Sequence, residues 1–284
     1  ENINNILSYF NLVDYNRWYE EKGISLKYKL LDAGHIPGSS SVVLEFEDED
    51  NRTKRLLYTG DINALDTNLM DGLTYGRDKS DLNKVDVMIC ESTYGARDHP
   101  PRLEQEKEFL DAVKSSIKKG GSVLIPAFSV GRAQEILIIL AKANLGVTVY
   151  LDGMARKVTD LCLKHSKFIK DAKALKNALE NVVYVKDRNQ RSRVVKEQAI
   201  VVSTAGMMDG GPVMDYVKYY YYDSKNAILL TGYQGEGSNG RNLLEKGVLN
   251  IDGQLLKVKA FYEKFDFSAH SGQTQLIELI RSIN

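Results

Sequence analysis

From about residue 95 to about residue 255, short aliphatic runs alternate with longer stretches of helical periodicity. The runs GSVLIPAFS, VTVYLDG, VVYVK, AIVVSTAG and NAILLTGY are apolar almost without alternation, the pattern of strands covered on both faces. The intervening segments predict helices. One covers 102–119, where PRLEQEKEFLDAVKSSIKKGG begins after proline and stops at glycine, and another covers 131–144 in GRAQEILIILAKAN. Others fall on MARKVTDLCLKH and KDAKALKNAL. Buried strands separated by helices need crossover connections, so this region predicts a doubly wound parallel sheet in an α/β fold.

The chain before about residue 95 has a different grain. KYKLLDA, SSVVLEFE, KRLLYTGD and VDVMICEST alternate apolar with polar residues and are joined by acidic turns such as EDEDNRTK. This predicts an antiparallel sheet with one covered face. A last strand is expected in VKAFYEKFDFS and a last helix in SGQTQLIELIRSI. The division expected is residues 1–95 as the first part of one domain, 96–262 as an inserted domain, and 263–284 as the return to the first. YVKYYYYDSK reads as a helix end packed on its surroundings.

Composition removes several functional classes. The 38 Lys and Arg balance the 38 Asp and Glu, so no global field draws the chain to nucleic acid or anionic lipid, and a polyanion must be held by local groups. Cys90 and Cys162 lack CxxC spacing, which argues for a reducing, cytoplasmic compartment and against a cysteine-rich zinc module. No apolar run reaches the length of a membrane span, so no membrane partner is expected. The start at Glu1 has no signal-peptide character and reads as a chain cut inside a larger protein.

Candidate chemistry collects at the ends of the apolar runs, where loops converge. His35 in LLDAGHIPGSS is one of four histidines, and a lone histidine is as readily structural. Asp61 ends LLYTGD and can equally cap a turn, but the two together offer an imidazole and a carboxylate, a donor set that suits zinc. Glu91 in VMICESTYG needs a partner if buried. His270 in DFSAHSGQ lies at a strand-to-helix junction, with Ser268 or Ser271 as the expected cap; the alternative pairs it with Glu91 for acid or base work. Three further segments suit phosphate. AFSVGRAQE sets Ser129, Gly131 and Arg132 at a helix start; STAGMMDGGP offers Ser203, Thr204, Ala205 and Gly206; and GYQGEGSNGR carries Gln234 and Arg241. None is a Walker A loop or a dinucleotide fingerprint.

Taken in order, DAGHIPGSS, YTGDI, ESTYG, PAFSVGRAQE, STAGMMDGGP, GYQGEGSNGR and FSAHSG resemble the β-CASP branch of the metallo-β-lactamase superfamily, above all archaeal relatives of the cleavage and polyadenylation specificity factor endonuclease. The resemblance implies an αββα metallo-β-lactamase sandwich, incomplete in this chain, with an inserted doubly wound β-CASP domain. It implies a zinc-dependent ribonuclease acting on single-stranded RNA, with His35 and Asp61 as metal ligands, Asp61 bridging two zinc ions. Glu91 would position His270 beside the scissile phosphate, and Ser129, Arg132, the 203–206 loop, Gln234 and Arg241 would face RNA. A homodimer or an RNA-processing complex is the expected setting.

The resemblance also has gaps. The family's His-x-His-x-Asp-His segment does not occur in these residues, and neither does a later histidine in a His-Gly-Glu setting. His99 and His165 match neither and read as surface residues. The expectation is therefore a fragment of an active nuclease without a tight paired-metal site of its own. The alternative is a non-catalytic RNA-binding or scaffold subunit.

Overall fold

The computed structural model describes residues 6, 8–73, 75, 82 and 84–283. It divides into two compact units, one of residues 1–66, 72–98 and 270–284, the other of residues 67–71 and 99–269. The fold is mixed α/β, with one largely antiparallel and one parallel sheet.

The first unit holds strands β1 (Trp18–Glu20), β2 (Leu26–Asp32), β3 (Ser40–Glu47), β4 (Thr53–Tyr58) and β5 (Val87–Ile89) in that spatial order. The acidic turn between β3 and β4 closes because the Asp48 carboxylate accepts from the Asp50 and Arg52 N–H groups, while Asn51 takes the left-handed conformation. One expectation fails here. β5 joins β4 in parallel, not antiparallel, because a long connection rather than a hairpin separates them. One face is covered, as expected, while the other is apolar but partly exposed.

Leu31, Val43 and Leu57 face the core with Leu276 and Leu279 of the C-terminal helix, Gln273–Arg281. The opposite face carries the in-register rows Leu30, Val42, Tyr58, Ile89 and Tyr28, Leu44, Leu56, Val87. Tyr58, Val87 and Ile89 are each about half exposed.

The second unit is built on strands β6 (Val123–Pro126), β7 (Thr148–Asp152), β8 (Val182–Tyr184), β9 (Ala199–Ser203), β10 (Ala227–Leu230) and β13 (Phe261–Lys264). All pairings are parallel, in the order β13-β10-β6-β9-β7-β8. Helix α1 (Arg102–Lys118) precedes β6, and α2 (Arg132–Ala141), α3 (Ala155–Lys164), α4 (Ala172–Leu179), α5 (Arg188–Val194), α6 (Val213–Tyr220) and α7 (Asn239–Lys246) lie in the crossovers. α1 and α2 bury Phe109, Ile136 and Ile139 against one face, and α6 and α7 bury Tyr216, Tyr220 and Leu243 against the other. The tyrosine run is therefore a helix end packed on the sheet. The C-terminal helix of the first unit, Gln273–Arg281, is α8.

Several local expectations are corrected. The strand expected in VKAFYEKFDFS is β13, shorter than that segment, and an unexpected hairpin of β11 (Val248–Ile251) and β12 (Gln254–Lys257) precedes it. Phe265 and Phe267 then turn inward, each 5.4 Å from Phe109 in edge-to-face contact. In α5, capped by Asp187, Arg191 turns inward to the fully buried Asp152 at 2.6 Å. His99 is not a surface residue but half-buried against Asp266. Glu135 is buried: burial raises its carboxyl, but Arg102 and the Asn68 amides outweigh that and hold it below the usual carboxylate range.

Candidate active site

The site lies in the first unit, where three strand ends and the start of α8 meet. After β2, Gly34 adopts φ +69°, and a Cβ there would lie 2.5 Å from both Asn63 O and Leu73 N. Only glycine fits, and the turn it makes delivers His35. The Ser39 hydroxyl accepts from the His35 and Ile36 N–H groups at 3.2 Å, fixing the same turn. After β4, Gly60 turns with φ +58° beside Ser40 O and presents Asp61. After β5 comes Glu91. His270 precedes α8, whose N-cap is Gly272.

Neither serine caps α8. Ser271 Oγ instead accepts from Ala64 N–H at 3.0 Å and its own N–H donates to Ile62 O at 2.7 Å, while Asp98 Oδ1 accepts from Thr274 N–H in the helix's first turn. These bonds lock the segment carrying Asp61 to the segment carrying His270.

Four side chains converge. His35 Nε2 is 3.9 Å from Asp61 Oδ2, and the rings of His35 and His270 are 4.5 Å apart. Donor atoms of His35, Asp61 and His270 all lie within 4.8 Å of one another, the one such trio among the described residues. His270 Nδ1 is 2.9 Å from Glu91 Oε2 and 3.1 Å from Oε1. The Glu91 side chain is 6% exposed, whereas that of Asp61 is 60% exposed. Burial raises the Glu91 carboxyl, but hydrogen bonds from His270, Ile62 N–H and Thr93 outweigh it and hold the group below its ordinary value. The carboxylate therefore accepts a hydrogen bond from Nδ1–H.

This donor set fits a zinc-type cation. The His35 imidazole nitrogen and the Asp61 carboxylate oxygen are donors of the kind found in open catalytic sites, with the His270 ring beside them. Two donors at about 2.1 Å from a tetrahedral ion stand about 3.4 Å apart, and the 3.9 Å between His35 and Asp61 closes to that with a small side-chain shift.

The remaining predicted residues belong to the second unit, on loops leaving the C-terminal ends of β6, β9 and β10. Gly131, at φ +77°, is the N-cap of α2, and Ser129 and Arg132 flank it. Ser203 is fully buried at the end of β9, and a cis peptide joins Thr204 to Ala205. Gly206 is buried against Phe128. Gln234 does not face solvent: it is 2% exposed and its amide donates to Gly206 O and Gly232 O, so it pins two loops together. Arg241 is half-exposed in the first turn of α7 and paired with Glu245. The anchoring role of Ser271 was missed, because a serine beside a predicted helix start carries a capping signal that hides a long-range partner.

Comparison with known proteins agrees with this architecture. Residues 133–243 match the Beta-Casp domain family. "Probable RNase MJ4" of Methanocaldococcus jannaschii is 41% identical over 261 residues, which are 90% of this chain and 59% of that protein. "RNase aCSPSF2" of Saccharolobus solfataricus is 40% identical, covering 91% of this chain and 50% of its own length. "Transcription termination factor FttA" of M. jannaschii is 33% identical over 91% of this chain and 43% of its own length. The chain thus spans about half the length of the curated relatives it matches. With a Beta-Casp domain on its parallel sheet and these relatives aligned along nine-tenths of its residues, the chain belongs to the β-CASP branch of the metallo-β-lactamase superfamily.

Proposed function

We propose that this chain supplies part of the metal centre, the acid-base pair and the β-CASP domain of a zinc-dependent nuclease that hydrolyses phosphodiester bonds of single-stranded RNA. The observation that carries this reading is the convergence of His35, Asp61 and His270, with His270 held by a buried, ionised Glu91. The relatives bearing ribonuclease names support the choice of RNA.

His35 and Asp61 would hold the metal and the His270 ring would border it; when bound, the metal would supply an activated water and stabilise charge on the phosphate. Glu91 fixes the orientation of the His270 ring and stabilises its imidazolium form. When protonated on both nitrogens, His270 donates the Nε2 proton to the leaving oxygen, and the Glu91 carboxylate balances the charge throughout. Gly34 and Gly60 set the turns that present His35 and Asp61, and the Ser271 bonds hold the strand ends in register.

A two-zinc centre needs more donors than this trio, so we assign the full paired site to the longer protein that the relatives represent. We further propose a cytoplasmic setting, where Cys90 and Cys162 stay thiols, and work as a homodimer or within an RNA-processing complex. No helix among the described residues is long and apolar enough to cross a membrane.

The test is cleavage of an end-labelled single-stranded RNA by the full-length protein, with and without chelator. Cleavage that chelator abolishes and zinc restores is expected. RNA binding without metal-dependent cleavage would instead favour a non-catalytic RNA-binding or scaffold subunit.

A further inference from the structure

We propose that Phe128, together with Tyr233, forms a platform on which bases of a single strand stack, at the C-terminal edge of the six-stranded parallel sheet. The proposal rests on the RNA reading above and adds to it how the strand is gripped. In open parallel α/β sheets, ligands settle outside the carboxyl ends of the strands, where adjacent strands send their connections to opposite sides. Here those strands are β6 and β9. β6 leads through α2, packed on one face, to β7; β9 leads through α6, packed on the other face, to β10.

Phe128 follows β6 at this point. It is a large apolar side chain that remains 36% exposed, yet its ring is held. A Cβ at Gly232, on the loop after β10, would lie 2.8 Å from Phe128 Cε2, and one at Gly206, on the loop after β9, would lie 3.2 Å from Cδ2. Two side-chain-free residues from two other loops thus wedge the edge of the ring. The Gln234 amide ties those loops together through Gly206 O and Gly232 O. A ring fixed at its edge and still partly exposed is preorganised for stacking. Tyr233, next to Gly232, is 60% exposed and borders a depression of about 500 Å3 lined by Arg241, Asn242 and Lys246 as well as Glu236 and Glu245.

Charge selects the occupant. α2, α3, α6 and α7 all start at this edge, so the positive ends of their dipoles point to it, and Arg132 and Arg241 stand in first turns. Exposed aromatic rings beside helix starts and a depression lined by Arg241 and Lys246 as well as Glu236 and Glu245 suit bases joined by phosphates, because every base offers a π-face and every phosphate a charge. A protein partner would ask for a continuous apolar patch instead.

The test compares binding, by fluorescence anisotropy in chelator, of a labelled oligouridylate and of an abasic ribose-phosphate strand of equal length. Stacking is worth about 1–3 kcal/mol per base, so the intact protein is expected to prefer the base-bearing strand roughly 5- to 150-fold. Phe128→Leu should remove most of that preference and Tyr233→Leu part of it, while Phe128→Tyr keeps it. Unchanged abasic affinity in all variants would show that they are folded. If Phe128→Leu retains the full preference, or the intact protein binds both strands equally, the platform is wrong and the nuclease reading stands. If the intact protein binds neither strand, both fail.

Discussion

Gly34→Ala is expected to lower stability by roughly 2–5 kcal/mol and to displace His35. A left-handed alanine costs about 1–2 kcal/mol by itself. Here the new methyl would also lie 2.5 Å from two backbone atoms, Asn63 O and Leu73 N, in segments that cannot yield as a flexible side chain would. Forcing such an overpacked contact typically adds about 1–3 kcal/mol. The check is a thermal melt, where a Tm drop of roughly 5 °C or more is expected. Gly23, also at positive φ but with nothing within 4 Å of its Cβ, is the control. Gly23→Ala should cost only the backbone term, about 1–2 kcal/mol. Equal losses at the two positions would show that the close approach beside His35 is not as described.

Glu91→Gln is the second large effect. The buried carboxylate accepts from His270 Nδ1 and from Ile62 N–H, so the amide replaces a charge-assisted acceptor with a group that can turn a donor toward the ring. The imidazolium then loses its counter-charge and the ring its fixed orientation. On the proposed mechanism, kcat for RNA cleavage by the full-length protein should fall by roughly 100-fold or more, within the range of general acid-base effects, with KM nearly unchanged. Glu91→Asp, which keeps the charge, should recover part of the rate. A fall in affinity with kcat preserved would place Glu91 in substrate binding instead.

The sign of the pH effect follows from the same pair. Because the folded Glu91 carboxyl titrates below its ordinary value of 4.5, its stabilising bond is present above that pH. It is lost as pH falls through the lower folded value.

Much of the parallel sheet was legible because strands buried on both faces read as unbroken apolar runs, and AIVVS is buried at every residue. The β11–β12 hairpin was legible too, though overlooked: Asp252-Gly253, both at positive φ, is a two-residue turn signal between apolar runs. The second apolar face of the first sheet was harder to see. Along a strand such as SSVVLEFE it shows only as adjacent apolar residues, and the rows emerge once the register of four strands is known.

At the site, His35, Asp61, Glu91 and His270 stood out as polar residues ending apolar runs, and the spacing between Glu91 and His270 spans most of the chain. The sequence could suggest the pair but not its 2.9 Å contact. Phe128 was invisible for the opposite reason. An apolar residue after a buried strand reads as core, and its exposure depends on Gly206 and Gly232, far along the chain. Gln234 misled because an amide group reads as surface chemistry, whereas two loop carbonyls claim it.

The central claim is that His35 and Asp61 hold a metal beside the His270 ring, and titration of this chain with cobalt(II), followed by its visible absorption, tests it most directly. The pair predicts a weak but saturable site with the spectrum of low-coordinate cobalt in nitrogen and oxygen ligands. Asp61→Asn or His35→Ala should weaken it by about 100-fold or more, beyond the 10- to 100-fold typical of outer-shell changes. Absence of any saturable spectrum, or an identical one in both variants, would contradict the claim.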